Sequence, residues 1–391
     1  MKLLIKKFHP SYLLTLSFLL LSNLLLSQTY YPEKGNWLIK EAPEVGMNAA
    51  KLQEAVDFAI DNETKLQKDL RMAILDGFSR EPYHEIVGPT KERGGPAGLI
   101  IKDGYIISHW GDVERVDMTF SVTKSYLSTT VGLALDAGLI TDVTEKVKDY
   151  VWDGTFEGEH NSKITWEHLL TQSSDWSGDL FGMPDWGDRP PREGGIDDWK
   201  NRELKEPGSS FKYNDVRVNL LAYSLLHVWR KPLPMVIKEK VMDPIGASSK
   251  WRWYGYENSW VNIDGIKMQS VSGGGHSGGG FFISTLDHAR LGLLFLRNGK
   301  WKDQQLISEK WVKMIQKPSD ANPSYGYMWW LNNGTRKWEG VSGSIYYAAG
   351  FGGNYIVVDE EHDLLIITRW LDSPKLGELV LKVLNSIEKG K

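Results

Sequence analysis

The residues that could carry out covalent chemistry are three serines, each followed three positions later by a lysine. These Ser-x-x-Lys tetrads begin at Ser121, Ser209 and Ser386. On a helix, that spacing brings both side chains to one face, with their Cβ atoms about 5–6 Å apart. Burial disfavours a charged amine, so a buried lysine could lose its proton and activate the serine as a nucleophile.

Sequence context distinguishes the first tetrad from the other two. Ser121 opens a helical pattern in an apolar neighbourhood that could desolvate Lys124, and the positive end of the helix dipole would favour a serine alkoxide. Ser209 follows Pro-Gly in a loop, whereas Ser386 lies in the polar C-terminal tail. We therefore predict that Ser121 is a nucleophile and that Lys124 is its uncharged base. The alternative is an N-cap serine beside a solvated lysine.

A rival nucleophile is Ser277, within Gly275-His276-Ser277-Gly278-Gly279, which fits the Gly-x-Ser-x-Gly elbow of α/β hydrolases. That elbow requires a strand before the serine and a helix directly after it. Only a modest strand pattern precedes Ser277, and further glycines and two phenylalanines follow it. The six glycines between positions 273 and 280 favour instead a backbone turn packed closely against a neighbour.

Two further motifs could support a serine nucleophile. Tyr213-Asn214-Asp215 precedes a second helical pattern, with Asp215 as the predicted N-cap and Tyr213 placed to share the base role. A glycine-rich strand follows at 347–359, and its backbone N–H groups could complete an oxyanion hole with the Ser121 amide. Taken separately, the tyrosine could be a packing aromatic, and the glycine-rich strand could be a tight bulge or hairpin.

The remaining sequence predicts the elements that would position these residues. Asp103-Gly104 between two apolar runs predicts a β-hairpin. Helical periodicity is found at 49–60, 121–139, 216–227, 286–294 and 376–387, and strand patterns at 98–101, 105–110, 325–331, 344–348, 354–359 and 364–370. We therefore predict an antiparallel sheet built from both ends of the chain, with an inserted helical domain.

The serine tetrad, the tyrosine motif and the glycine-rich strand, in this order, resemble the serine β-lactamase/penicillin-binding-protein-like hydrolases. The likeness is to the class C-like branch, which contains esterases, D-aminopeptidases and 6-aminohexanoate-dimer hydrolases. The resemblance implies an α/β (α+β) fold, an antiparallel sheet flanked by helices with an inserted all-helical domain. It also implies that Ser121 is acylated, that Lys124 and Tyr213 transfer its proton, and that Phe351 supplies the second oxyanion amide.

Two positions depart from the pattern of these hydrolases. Asp215 stands where they have an asparagine, and Ala348-Ala349-Gly350 stands where they have Lys/His-Thr/Ser-Gly. We expect Asp215, Ala348 and Gly350 still to line the substrate site. Without the cation, a β-lactam carboxylate would lose a charge-assisted hydrogen bond of about 1.5–3 kcal/mol. The predicted substrate is therefore an ester or amide, such as an acylated glycan or a peptide. A β-lactamase proper and a non-catalytic ligand-binding module are the alternatives.

Composition and charge exclude several other classes of protein. The 391 residues are 41% hydrophobic and 25% charged, with a net charge of −4, which argues against disorder and against a nucleic-acid partner. The chain has no cysteine, so disulfides and a lipid-anchored cysteine are excluded. No cofactor is implied, and no spaced His/Asp/Glu cluster indicates a metal site.

The N-terminal sequence predicts export. Basic residues followed by an apolar run at 12–26 are typical of a signal peptide, and the run is short for a membrane span. The predicted parts of the chain are a signal peptide at 1–27, a sheet domain at 28–119 and 266–391, and a mainly helical domain at 120–265. We therefore expect a periplasmic or secreted protein with no stable membrane span. The long loop at 175–208, with Trp176, is the predicted lid and substrate contact.

Overall fold

A computed structural model describes residues 29–388 of the chain. The predicted signal peptide at 1–27 lies outside the described residues, and so does Lys389 of the third Ser-x-x-Lys tetrad. Between residues 29 and 388, no helix is both long and apolar enough to span a bilayer.

The described residues form a mixed α/β structure. In chain order, the helices are α1 (Ala49–Asp61), α2 (Leu70–Phe78), α3 (Thr123–Asp136), α4 (Trp166–Leu170), α5 (Ile196–Lys200), α6 (Asp215–Trp229), α7 (Leu233–Ile237), α8 (Thr285–Leu296), α9 (Glu309–Ile315) and α10 (Leu376–Asn385). The strands are β1 (Ala97–Lys102), β2 (Tyr105–Trp110), β3 (Asp117–Met118), β4 (Asp179–Leu180), β5 (Met183–Pro184), β6 (Arg252–Ile263), β7 (Ile266–Val271), β8 (Gly280–Ile283), β9 (Lys300–Trp301), β10 (Gln304–Gln305), β11 (Trp330–Leu331), β12 (Tyr346–Gly350), β13 (Asn354–Asp359) and β14 (Leu364–Arg369).

Local sequence signals set the ends of several elements. Asp103 and Gly104 have φ angles of 55° and 85°. Positive φ at both central residues is what a type I′ turn requires, so β1 and β2 form the predicted hairpin. The side chains of Asn48 and Ser284 each accept a hydrogen bond from a backbone N–H in the next turn, which caps α1 and α8.

The main sheet has the strand order β11-β12-β13-β14-β1-β2, and every neighbouring pair is antiparallel. β1 from the N-terminal part pairs with β14 near the C-terminus. The sheet is therefore built from both ends of the chain, which confirms the prediction.

Apolar side chains cover both faces of the main sheet. On one face, Val357 and Ile366 belong to a core with side chains of α1 and α10. On the other face, Ile356 and Ile367 belong to a larger core that includes α3 and α8. α3 is buried on every side from Thr123 to Ala134, as expected of a helix that runs through the centre of a domain.

A second sheet, of order β3-β8-β6-β7, lies outside the main one. Its strand β6 has 12 residues and falls within the segment predicted to be mainly helical. Of the strand predicted at 325–331, only the last two residues, which form β11, are in a strand. Met328 has a φ of 60°, which is not an extended conformation, and Gly326 lies against the backbone of Ile315. The boundaries of the two predicted domains stay predictions.

Candidate active site

Ser121 lies in a tight turn that leads into the central helix. Phe120–Val122 form a single 3-10 turn. The helix α3 begins at Thr123, two residues after the predicted start. Phe120 has a φ of 49°, a left-handed conformation that costs about 1–3 kcal/mol in a non-glycine residue. The neighbouring Thr119 is fixed to the second sheet by its N–H, which donates to the Phe281 carbonyl at 2.9 Å. Ser121 is thus presented, half-buried, by a constrained backbone.

Lys124 meets Ser121 on one face of this turn. The distance from Lys124 Nζ to Ser121 Oγ is 2.9 Å, which is a hydrogen bond. The lysine is only 1% exposed. Of the three tetrads, this one has the predicted geometry: Ser209 is exposed in a loop, and Ser386 donates its hydroxyl to the Val383 carbonyl at 2.6 Å.

Asp215 is the second partner of Lys124. Its Oδ1 lies 2.6 Å from Lys124 Nζ, and both side chains are buried. The sequence analysis assigned the N-cap of α6 to Asp215, but the structure gives that position to Asn214, whose Oδ1 accepts from the Arg217 N–H at 3.0 Å. As the first helical residue, Asp215 instead directs its carboxylate at the lysine.

This pairing changes the expected charge of Lys124. Burial lowers the pKa of the lysine, but the Asp215 carboxylate and the Tyr213 phenol together raise it, and the pKa ends above its ordinary value. Burial likewise raises the pKa of Asp215, yet Lys124 and Arg189 hold it well below its usual range. The direction of the lysine shift opposes the prediction that the amine is uncharged: the pocket is dry, but the ion pair favours the ammonium.

Arg189 is a second cation in this site, and sequence reasoning did not assign it a role there. Its Nη1 lies 2.6 Å from Asp215 Oδ2 and 2.8 Å from Asp188 Oδ1. The ring centroid of Tyr213 is 5.2 Å from Arg189 Cζ and 4.6 Å from Lys124 Nζ. Two cations therefore face the ring of Tyr213 at the distances of cation–π contacts.

The glycine-rich strand passes beside the serine. A Cβ atom on Gly350 would lie 2.2 Å from the Thr119 carbonyl oxygen and 3.3 Å from the Ser121 nitrogen, so only glycine fits. β11 pairs with β12 only at Tyr346 and Tyr347, so among residues 29–388 no strand pairs with the edge from Ala348 onward on that side. The position suits an oxyanion hole that combines the amides of Ser121 and Phe351.

Two predicted substrate contacts are buried. Trp176 is 2% exposed and belongs to the main core, where its indole N–H donates to the Thr155 carbonyl at 2.9 Å. The structure therefore places it in the protein interior rather than on the wall of a cleft, because its own loop folds over it. Ala348 is 1% exposed and brings only a methyl group to the strand beside the serine.

The loop at 175–208 is fixed by buried ion pairs. Arg217 of α6 contacts Asp175 at 2.7 Å and Asp185 at 2.9 Å. Arg202 contacts the same two carboxylates at 2.8 and 2.9 Å. The loop is therefore an ordered cover that carries Arg189 into the site.

The run of glycines at 273–280 packs against the ion pair. A Cβ atom on Gly274 would lie 1.7 Å from Asp215 Oδ1 and 2.2 Å from Lys124 Nζ. The predicted close backbone approach is therefore found, and the neighbour is the Lys124–Asp215 pair. Ser277 is 1% exposed and is followed by β8 rather than by a helix, so the context of a nucleophile elbow is missing.

Comparison with known proteins agrees with this geometry. Residues 110–370 match the sequence profile of the Beta-lactamase family, a range that includes Ser121, Lys124, Tyr213 and Asp215. A protein named "Putative D-alanyl-D-alanine carboxypeptidase" from Escherichia coli O157:H7 is 23% identical over 205 residues, which cover 41% of this chain and 45% of that protein. The match therefore spans less than half the length of this curated relative.

Solved structures show the same fold. A family VIII carboxylesterase superposes with a TM-score of 0.58 at 17% identity, covering 87% of this chain and 99% of that one. The octameric penicillin-binding protein homologue from Pyrococcus abyssi superposes with a TM-score of 0.56 at 16% identity, covering 88% of this chain and 78% of that one. At these identities the likeness concerns the fold alone.

Proposed function

Since the chain belongs to the beta-lactamase family of serine hydrolases, we propose that it hydrolyses an ester or amide bond through an acyl-enzyme on Ser121. The observation that carries the proposal is the 2.9 Å contact between Ser121 Oγ and Lys124 Nζ inside a buried, charge-paired pocket. Nucleophile and partner within hydrogen-bond reach, with the partner oriented by a third group, are the arrangement that covalent catalysis needs.

The charge of Lys124 assigns the base role to Tyr213. An ammonium held by Asp215 cannot take the serine proton, but it donates a hydrogen bond to Oγ and stabilises the developing alkoxide. Tyr213, whose ring centroid lies 4.6 Å from Lys124 Nζ, takes the proton on its phenolic oxygen as Oγ bonds to the substrate carbonyl carbon. Tyr213 then gives this proton to the leaving oxygen or nitrogen as the acyl bond breaks. In deacylation, water attacks the ester carbonyl carbon and gives a proton to Tyr213, and Tyr213 passes this proton to Ser121 Oγ as the bond between Oγ and the acyl carbon breaks.

The substrate class follows from the charges that remain available. Arg189 is already paired with Asp188 and Asp215, and Ala348 supplies no cation. A substrate carboxylate would therefore find no free positive charge at the anchor position of the strand. Aromatic side chains lie near the site. The rings of Tyr213 and Trp330 are stacked with their centroids 5.9 Å apart, and the rings of Phe351 and Phe120 meet edge-on with their centroids 5.2 Å apart. These features support an uncharged ester or amide over a β-lactam.

One observation favours a second candidate, a non-catalytic ligand-binding module. Asp215 holds the Lys124 amine in a buried ion pair at 2.6 Å, which withdraws the amine from the role of base. Such a module would bind ligands without turnover. The two candidates differ in whether Ser121 becomes acylated.

The N-terminal sequence supports export of this enzyme. Residues 1–27 combine basic residues with a short apolar run, so we propose that the mature chain acts in the periplasm or outside the cell. N-terminal sequencing of the secreted or periplasmic protein would test this, with a start near residue 28 as the expected result.

The test is active-site labelling of the purified mature chain with a fluorophosphonate probe, beside a panel of short acyl esters, D-amino amides and nitrocefin. We expect labelling and ester hydrolysis, both abolished by Ser121→Ala. The matched control is Ser277→Ala, which removes the buried rival serine and should leave labelling intact. Labelling that persists in Ser121→Ala would refute the assignment, and ligand binding with neither labelling nor turnover would establish the binding module.

A further inference from the structure

Four aromatic side chains form a cluster at the edge of the active site: Phe211, Tyr213, Tyr325 and Trp330. Tyr325 meets the ring of Trp330 edge-on at 4.7 Å between centroids, and it meets the ring of Phe211 edge-on at 5.2 Å. Tyr325 is 1% exposed and forms the base of this aromatic cluster, whereas the other three rings are half-buried and reach the surface. Half-exposed aromatic rings beside a reactive group are typical of the wall of a ligand site.

Trp330 lies where the pairing of β11 with β12 ends. It pairs with Tyr347, and among residues 29–388 no strand pairs with this edge of β12 from Ala348 onward. Gly350, three residues farther along β12 than Tyr347, lies beside the Ser121 nitrogen. At about 3.4 Å per residue, Trp330 is roughly 10 Å along the strand from the serine. A substrate that lies along this edge with its carbonyl at Ser121 therefore has one end at Trp330.

The mechanism above identifies that end as the leaving group. Tyr213 gives a proton to the leaving oxygen or nitrogen, so this atom must come within hydrogen-bond reach of the Tyr213 phenol. The ring of Tyr213 is stacked with the ring of Trp330, at 5.9 Å between centroids and 18° between planes. The alcohol or amine part of the substrate therefore passes Tyr213 in the direction of Trp330.

The aromatic cluster fits an uncharged aromatic ring. Aromatic rings that meet offset or edge-to-face attract one another beyond the effect of the apolar area that they bury. The cations in contact with the Tyr213 ring are Lys124 and Arg189. Both are already paired, Lys124 with Asp215 and Arg189 with Asp188 and Asp215. A charged leaving group would therefore find no unpaired partner among these four residues.

We propose that Trp330 is a specificity-determining residue that binds an aromatic ring on the leaving group, so that the substrates are arylalkyl esters or the corresponding amides. A short alkyl link is part of the proposal, because Trp330 is roughly 10 Å along the strand from the serine. Sequence analysis included Trp330 in a predicted strand and gave it no role. The proposal rests on the acyl-enzyme function above and deepens it by naming the leaving group.

The experiment compares three acetate esters, those of 2-phenylethanol, 2-cyclohexylethanol and ethanol, in competition with one another on the purified mature chain. All three form the same acetyl-enzyme, so the ratios of kcat/KM report only how the leaving group is bound during acylation. We expect the phenylethyl ester to be preferred over the ethyl ester by about 10- to 100-fold, as burial of an aromatic side chain predicts. Its preference over the cyclohexylethyl ester should be about three- to tenfold, as pairing between aromatic rings predicts.

Substitutions of Trp330 should change these ratios. Trp330→Ala should lower the phenylethyl-to-ethyl ratio about tenfold and bring the phenylethyl-to-cyclohexylethyl ratio close to one. Trp330→Phe restores an aromatic ring and should recover part of both ratios. The control Trp152→Ala removes a tryptophan that is 79% exposed and lies outside the aromatic cluster, and it should leave both ratios unchanged.

The ratios separate binding by Trp330 from a displacement of Tyr213. A displaced phenol would slow all three esters by the same factor, and this result for Trp330→Ala would overturn the proposal. A wild type that does not prefer the phenylethyl over the cyclohexylethyl ester would overturn it as well.

A further variant protects the test against misfolding of Trp330→Ala. Trp330→Leu keeps an apolar side chain but removes the ring, so the phenylethyl-to-cyclohexylethyl ratio should fall close to one, and a wild-type ratio would refute the role of Trp330. If the wild type hydrolyses none of the esters and Ser121 is not labelled, the acyl-enzyme function fails instead, which is a separate result.

Discussion

The substitution Asp215→Asn tests whether the lysine of this site works as a charged group. It replaces the carboxylate with the amide that related hydrolases have at this position, and it removes the partner 2.6 Å from Lys124 Nζ. At an effective dielectric constant of ~20, opposite charges in contact attract by about 4–6 kcal/mol. Since burial alone lowers the pKa of Lys124, we expect that pKa to fall below its ordinary value once this attraction is removed.

The assay is the alkaline limb of the pH profile of kcat/KM. In the wild type, the raised pKa of Lys124 keeps the ammonium present through neutral and mildly alkaline pH, so activity should be lost only in strong alkali. In Asp215→Asn the ammonium would be lost earlier, and the limb should move to lower pH. Asp215→Glu keeps the negative charge and should not move the limb downward. A limb that stays in place or moves upward in Asp215→Asn would show that the lysine acts as a neutral base, and the mechanism would be refuted.

Two further substitutions test the structures that hold the site. Gly274→Ala places a Cβ atom 1.7 Å from Asp215 Oδ1. Because this displaces the ion pair, we expect activity to fall about 100-fold while circular dichroism still shows a folded mature chain. Wild-type activity would contradict the close packing. Arg217→Met removes a buried cation from two aspartates of the 175–208 loop, which should cost about 3–5 kcal/mol in urea denaturation because buried carboxylates lose a partner. A loss below about 1 kcal/mol, typical of an exposed pair, would contradict the buried network.

Features encoded by neighbouring residues could be predicted from the sequence. The Asp103-Gly104 turn and the strand β13 at 354–359 agree with their predictions because each depends on a few consecutive side chains. The Ser121–Lys124 contact belongs to the same class, since three positions along a helical turn fix it. The strand predicted at 325–331 was wrong over most of its length, because its apolar pattern does not report that Gly326 must approach the Ile315 carbonyl.

The charges of the site could not be predicted, because they depend on residues distant in sequence. Arg189 reaches Asp215 across 26 positions, and His276 reaches Glu81 across 195. No local pattern indicates either pairing. The protonation state of Lys124 depends on such contacts, so the spacing that predicts the Ser121–Lys124 contact carries no information about the charge of the amine. The burial of Trp176 could not be predicted for the same reason, since a place in the core is a tertiary property.

The two departures from the pattern of related hydrolases change the net charge of the pocket in the same direction. Asp215 in place of asparagine adds a negative charge, and Ala348 in place of lysine or histidine removes a positive one. Both changes make the pocket more negative, and a buried excess of charge is costly. Arg189 opposes that excess, with its Nη1 2.6 Å from Asp215 Oδ2. Because Arg189 is engaged in this balance, it is not free to bind a substrate carboxylate. The arrangement that holds Lys124 in an ion pair therefore supports the proposal that the substrates are uncharged esters and amides.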